Sequence, residues 1–217
     1  AAGAFSQDEV TGTVRDLTDD GFRVSFAYAA PAVVRSRGAA STSVTAVWDG
    51  DAPFVLSGFP LQSPWWLSVE PSAGSAHHRT LHPLPLPRAA PVDLGLVRAD
   101  TLDLIFLLQT VPAERIARRG HVALLFTQGE GLNAGVAGVS VGLSEAGLLA
   151  YAVGGTWTDV EDRTDPSGRV VLGNISAAPF PGLTRRITLS GARQGFIDVV
   201  VVDDAVSLVE ARLPAQP

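Results

Sequence analysis

The 217-residue chain contains no cysteine and no methionine, and all 16 of its Lys+Arg positions are arginine. Each absence closes off a kind of chemistry. Without cysteine there is no disulfide framework, thiolate zinc site, iron–sulfur cluster or cysteine nucleophile. Without lysine there is no Schiff base and no phosphate-gripping P-loop. Charge is sparse, at 18% of residues, and the formal net charge is −6. A nucleic-acid backbone is therefore excluded as the expected partner, because that contact needs clustered positive charge. Long apolar runs are missing as well. The longest mainly apolar stretches cover 102–108, 122–126 and 199–202, far short of the roughly 20 residues of a membrane-spanning helix.

What is present describes a turn-rich globular chain. Apolar residues make up 46%, with 22 glycines and 15 prolines, which suits many short elements joined by frequent turns. A chain of this length makes one large or two small domains and can bury about 70% of its unfolded surface. It therefore needs neither metal nor disulfide to fold. The small-residue start Ala1-Ala2-Gly3-Ala4 suits the mature side of a signal-peptidase cut, so the expected location is extracellular or at the cell surface.

Most segments read as strands: 10–15, 22–28, 43–48, 54–57 and 65–69 are short, partly alternating, and β-branched or aromatic. The proline-rich stretch 81–91 predicts an extended arm or edge strand, not a central strand. Residues 99–120 break the pattern. Asp100 is placed to cap a helix from Thr101, Pro112 to open a second short helix, and Gly120 to stop it. Strands resume at 121–127, 135–143, 148–153, 169–174, 185–190, 196–202 and 205–213. The last two, separated by Asp203-Asp204, read as a closing hairpin. A faint repeat sets 51–60 over 167–176 and 22–26 over 138–142. The expectation is an all-β protein of two β-sandwich domains, 1–98 and 121–217, joined by a helical connector at 99–120.

Two stretches carry a resemblance. "GVSVGLSEAG" followed by "TDPSGRVVLGNISAAPFPGLTRRITLSG", and more loosely "VTGTVRDLTDDGFRVSFAY" with "FVLSGFPLQSPWWLSVEP", resemble the carboxypeptidase-regulatory-like or CnaB-type domains, which are transthyretin-like β-sandwiches. The matching positions encode turns and alternation: Asp165-Pro166-Ser167-Gly168 fills the family's turn, and Asn174 to Gly182 its "NVPPG" slot. The resemblance implies a stalk, spacer, adhesion or assembly role outside the cell. The lysine–asparagine crosslink of some CnaB domains is impossible without lysine. The hydroxyisourate hydrolases of the wider fold are also set aside, since this chain ends "EARLPAQP" and not in their tyrosine-bearing motif.

Few residues suggest chemistry directly. Gly138-Val139-Ser140-Val141-Gly142 matches the GxSxG elbow in letters, but all four histidines precede it and it alternates like a strand. His77, His78 and His82 form the one histidine cluster, a candidate for a transition metal, with solvated loop histidines as the alternative reading. Asp159, Glu161, Asp162 and Asp165 crowd one loop and offer oxygen ligands for calcium, without EF-hand spacing. Adjacent Trp65 and Trp66 point to opposite faces of a strand, so one fills the core and the other is free to stack on a sugar or enter an interface. Asn174-Ile175-Ser176 is a glycosylation sequon. Residues 1–10, laid along a neighbour's sheet edge, would link subunits. The expected function is a non-catalytic secreted or surface protein, structural or adhesive, without a cofactor and self-assembling into a filament or layer. The alternatives are a carbohydrate-binding module and a serine hydrolase.

Overall fold

Alternation dictates the first strand of the fold: Val10, Val14 and Leu17 turn inward while Thr11, Thr13 and Arg15 stay half-exposed. The computed structural model describes residues 9–17, 22, 25–37, 44–57, 66–84, 91–128 and 135–213. Among these, the first half holds β1 (Glu9–Leu17), β2 (Ser25–Ala27), β3 (Ala32–Arg37), β4 (Thr45–Trp48), β5 (Phe54–Ser57), β6 (Trp66–Pro71), β7 (Arg79–Pro83) and β8 (Val92–Val97). A single helix, α1 (Ala99–Leu107), follows. The second half holds β9 (Arg119–Gln128), β10 (Val139–Gly142), β11 (Leu148–Val153), β12 (Thr156–Thr158), β13 (Arg169–Ser176), β14 (Leu183–Gly191), β15 (Gly195–Val201) and β16 (Ala205–Leu213). The protein is an all-β sandwich, as its turn-rich alternating sequence predicts.

The strands form three sheets. A small sheet pairs β1 with β2, β5 and, in parallel, β8; a second runs β10-β14-β15. The third has nine strands in the order β12-β11-β13-β9-β16-β7-β6-β3-β4. Its hydrogen bonding runs without a break across the division expected at 99–120. The join is β16, which lies parallel to β9 on one side and to β7 on the other, with Ala205 opposite Arg79 and Ser207 opposite Leu81.

Each layer buries its own cluster. The small sheet closes on β3, β4 and β6 through Val10, Val14, Trp48, Phe54, Leu56, Leu67 and Val69. The β10-β14-β15 sheet closes on the other half through Val139, Ile187, Leu189, Val122, Leu124, Leu172 and Val199, joined by Trp66 and Leu81 from β6 and β7. On the opposite face of that half lies α1, whose buried Leu102, Ile105 and Phe106 meet Ala123, Ala150, Ala152 and Val171. Small side chains let the helix sit close. At Gly173 a Cβ would come within 2.4 Å of the Phe106 ring.

Several expectations are corrected. β15 and β16 are not a hairpin: β15 pairs with β14, whereas β16 joins the nine-stranded sheet. Asp203-Asp204 is an inter-layer corner, with the Asp203 and Asp204 N–H groups bonded to the Ala178 and Arg119 carbonyls. Both strands are apolar enough to be buried, so each has its own sheet to fill. No second helix starts at Pro112; residues 112–116 are irregular, tied to β13 by Asn174. Arg98, not Asp100, is the helix N-cap, and Asp100 sits in the first turn with its carboxylate on the Thr101 N–H. The start of the proline-rich stretch belongs to a central strand after all. β16 pairs only as far as Leu81, so Pro83 needs no N–H on that edge. The repeat does not mark equivalent positions: β5 pairs with β1 in the small sheet, while β13 lies between β9 and β11 in the large one.

Candidate functional site

His77 lies in a connected set of polar side chains. A turn closed by the Ser75 N–H on the Ser72 carbonyl, with Gly74 at φ 79°, brings the chain round to Ser75. The next residues are pinned to the start of the helix: the His78 N–H donates to the Val97 carbonyl, and the Ala99 N–H to that of Ala76. His77 then meets Asp16 of β1, with Nε2 2.9 Å from Oδ1, and Ser75, with Nδ1 2.8 Å from Oγ. Tyr28 completes the set, its hydroxyl 3.2 Å from Ser75 Oγ and its ring edge-on to His77 at 5.1 Å. The His77 and Asp16 side chains are 11% and 21% exposed.

The other histidines do not join it. His82 Nε2 donates to the Gly95 carbonyl at 2.8 Å, and burial pushes its pKa down to about 4 despite that bond. His78 is also held down to about 4, by burial and then by the Arg115 charge, and its Nε2 is buried without a partner. His121, 2% exposed, accepts the Asn174 N–H on Nδ1, lies edge-on to Phe106, and is driven to about 3 by burial. It lines a cavity of about 550 Å³ together with Asp103, Phe106, Arg115, Ile116 and Asp204. Among the described residues no group of three or more His, Asp or Glu gathers to hold a metal ion.

Three of the four acidic side chains in the loop are engaged within the chain. Asp159 accepts the Thr110 N–H and hydroxyl, Asp162 pairs with Arg163, and Asp165 accepts the Ser167 and Gly154 N–H groups. Glu161 is exposed. Ser140 lies mid-strand opposite Ser190, with no strand–turn–helix around it. Trp66, 7% exposed, is the tryptophan that fills the core; Trp65 and residues 1–8 lie outside the described residues. The sequon asparagine is committed elsewhere. Asn174 is buried at φ 55°, accepts the Ile116 N–H and donates to the Glu114 carbonyl, leaving no amide free for a sugar.

Sequence reasoning picked out His77 but missed Asp16, Tyr28 and Ser75. Ser75 lies two residues away and was legible as a neighbour. Asp16 and Tyr28 arrive through sheet pairing and leave no local trace.

Neither a family model nor a curated protein sequence matches the chain. Among solved structures it is similar to the Bacillus anthracis TIE protein, at 8% identity and a TM-score of 0.27, over 95% of this chain and 34% of that one. It is also similar to the minor pilin of Streptococcus agalactiae, at 10% identity and a TM-score of 0.28, over 97% of each chain. The chain thus spans about a third of the TIE protein's length. Superpositions this loose assign no function. Among the described residues no helix is long and apolar enough to cross a membrane.

Proposed function

We propose that the chain is a structural protein of the cell surface or extracellular space that associates with copies of itself. The observation behind this reading is the nine-stranded sheet, which joins both halves in one hydrogen-bonded layer and, among the described residues, has β4 as an edge with no further strand paired to it. Val47 on that strand is 65% exposed. An unpaired edge beside an apolar side chain is a template for another strand. Glu9 and Val10 are already paired with Ser57 and Leu56 of the same chain, so the proposed strand addition is confined to residues 1–8. The carbohydrate-binding alternative loses Trp66 to the core.

Light scattering and electron microscopy of the full chain and of a chain lacking residues 1–8 test the reading. Concentration-dependent large species from the full chain, lost on truncation, support it. A full chain that stays monomeric, or a truncated chain that assembles equally, overturns it.

A further inference from the structure

We infer that Ser75 is an activated nucleophile for acyl transfer, served by His77 and Asp16. The protons follow from the contacts. Asp16 only accepts, so in the neutral imidazole Nε2 carries the hydrogen and Nδ1 is the acceptor. Ser75 must then donate its single hydrogen to Nδ1, which leaves Tyr28 as the donor to Ser75 Oγ. The chain of bonds runs Tyr28 to Ser75 to His77 to Asp16, all in one direction. Either imidazole nitrogen serves as a base, so reaching the serine through Nδ1 preserves the logic of the Ser-His-Asp arrangement.

Asp16 and Tyr28 are held by strand pairing and backbone hydrogen bonds. Asp16 pairs with Phe26 and Leu96 on two neighbouring strands, and Tyr28 is fixed by its N–H on Val14 and by Trp48 Nε1 on its carbonyl. Ala73, Gly74 and Ala76 beside the serine are small and exposed, which leaves room for a small ester. In the reaction Ser75 Oγ bonds to the ester carbonyl carbon as its proton passes to His77. His77 returns that proton to the departing alcohol, and the carbon–oxygen bond to it breaks. Water, deprotonated by His77, then releases the acid and restores the serine. The Tyr28 hydroxyl lowers the cost of negative charge on Oγ. Asp16 is a positioning residue that fixes the tautomer. This activity goes beyond the structural role and does not depend on it.

The test is to treat the native protein with a fluorophosphonate and map the adduct by peptide mass spectrometry, with p-nitrophenyl acetate as the turnover probe. The expected result is one adduct, on Ser75, absent from Ser75→Ala and formed about a hundredfold more slowly in His77→Gln. Imidazole nitrogen shifts should report the Nε2–H tautomer of His77, replaced by a mixture in Asp16→Asn. No adduct on folded wild-type protein, an adduct on Ser140 instead, or unchanged labelling in His77→Gln overturns the proposal. The wild-type mapping decides this even if a variant does not fold.

Discussion

The two halves of the nine-stranded sheet are covered differently. β9 and β13 lie between the β10-β14-β15 sheet on one face and α1 on the other, and Val170 to Ile175 are buried without interruption. β3 is covered on one face. Ala32, Val34 and Ser36 are buried, while Val33 and Arg35 are half-exposed. That outer face carries a charge ladder in which Glu70 of β6 receives Arg35 from β3 and Arg79 from β7, at 3.3 and 3.2 Å. The contrast shows that the number of covered faces sets the sequence of a strand: an unbroken apolar run for two, alternation for one. It also explains why α1 is where it is. The helix supplies the second cover that β11 and β13 require.

Acid should strain both halves at once, and it gives the largest expected effect. His78, His82 and His121 have folded values of about 4, 4 and 3, below the unfolded value of about 6.5. Between those limits the unfolded chain binds more protons, so stability is complete above about pH 6.5 and is lost as the pH falls toward the folded values. At pH 5 each histidine costs up to about 2 kcal/mol. Urea midpoints at pH 7.5 and pH 5 measure the loss. His82→Gln and His121→Gln should each remove part of the slope, one from each half. A flat profile would remove the buried neutral histidines from the account.

Next in size are cavity variants on either side of β16. Phe54→Ala in the first half and Phe106→Ala in the second, both at fully buried sites, should each cost about 3–5 kcal/mol. Because β7 and β9 share β16, both should shift one cooperative transition in calorimetry. Two resolved transitions would mean that the halves melt independently. The smallest effect is expected at Val47→Thr, within about 0.5 kcal/mol in stability. If the β4 edge takes part in association, that variant should still weaken self-assembly in light scattering.

Strand content was legible because period-two patterning and turn residues are local. 54–57, 148–153 and 205–213 match the observed elements. β3, with its Arg35-Ser36-Arg37 end, β7, ending at Pro83, and β8, interrupted by Gly95, went unread since the residues that stabilise them are distant in sequence. Thr80 reaches the Gly95 carbonyl with its hydroxyl, and β7 gains its second neighbour more than a hundred residues downstream. The Asp16–His77–Ser75 set was hidden for the same reason. Long-range pairing, not residue type, brings it together.

The placement of β16 has a consequence for how the protein is made. It comes last among the described strands yet occupies the middle of the largest sheet. As the chain emerges during synthesis, β7 and β9 must wait with facing edges unpaired until 205–213 arrive. Parallel pairing over such sequence separations is slow to form. The interval before the final strand is inserted is when another chain's strand can take its place, so the centre of the sheet, not its rim, is where nascent copies are most exposed to one another.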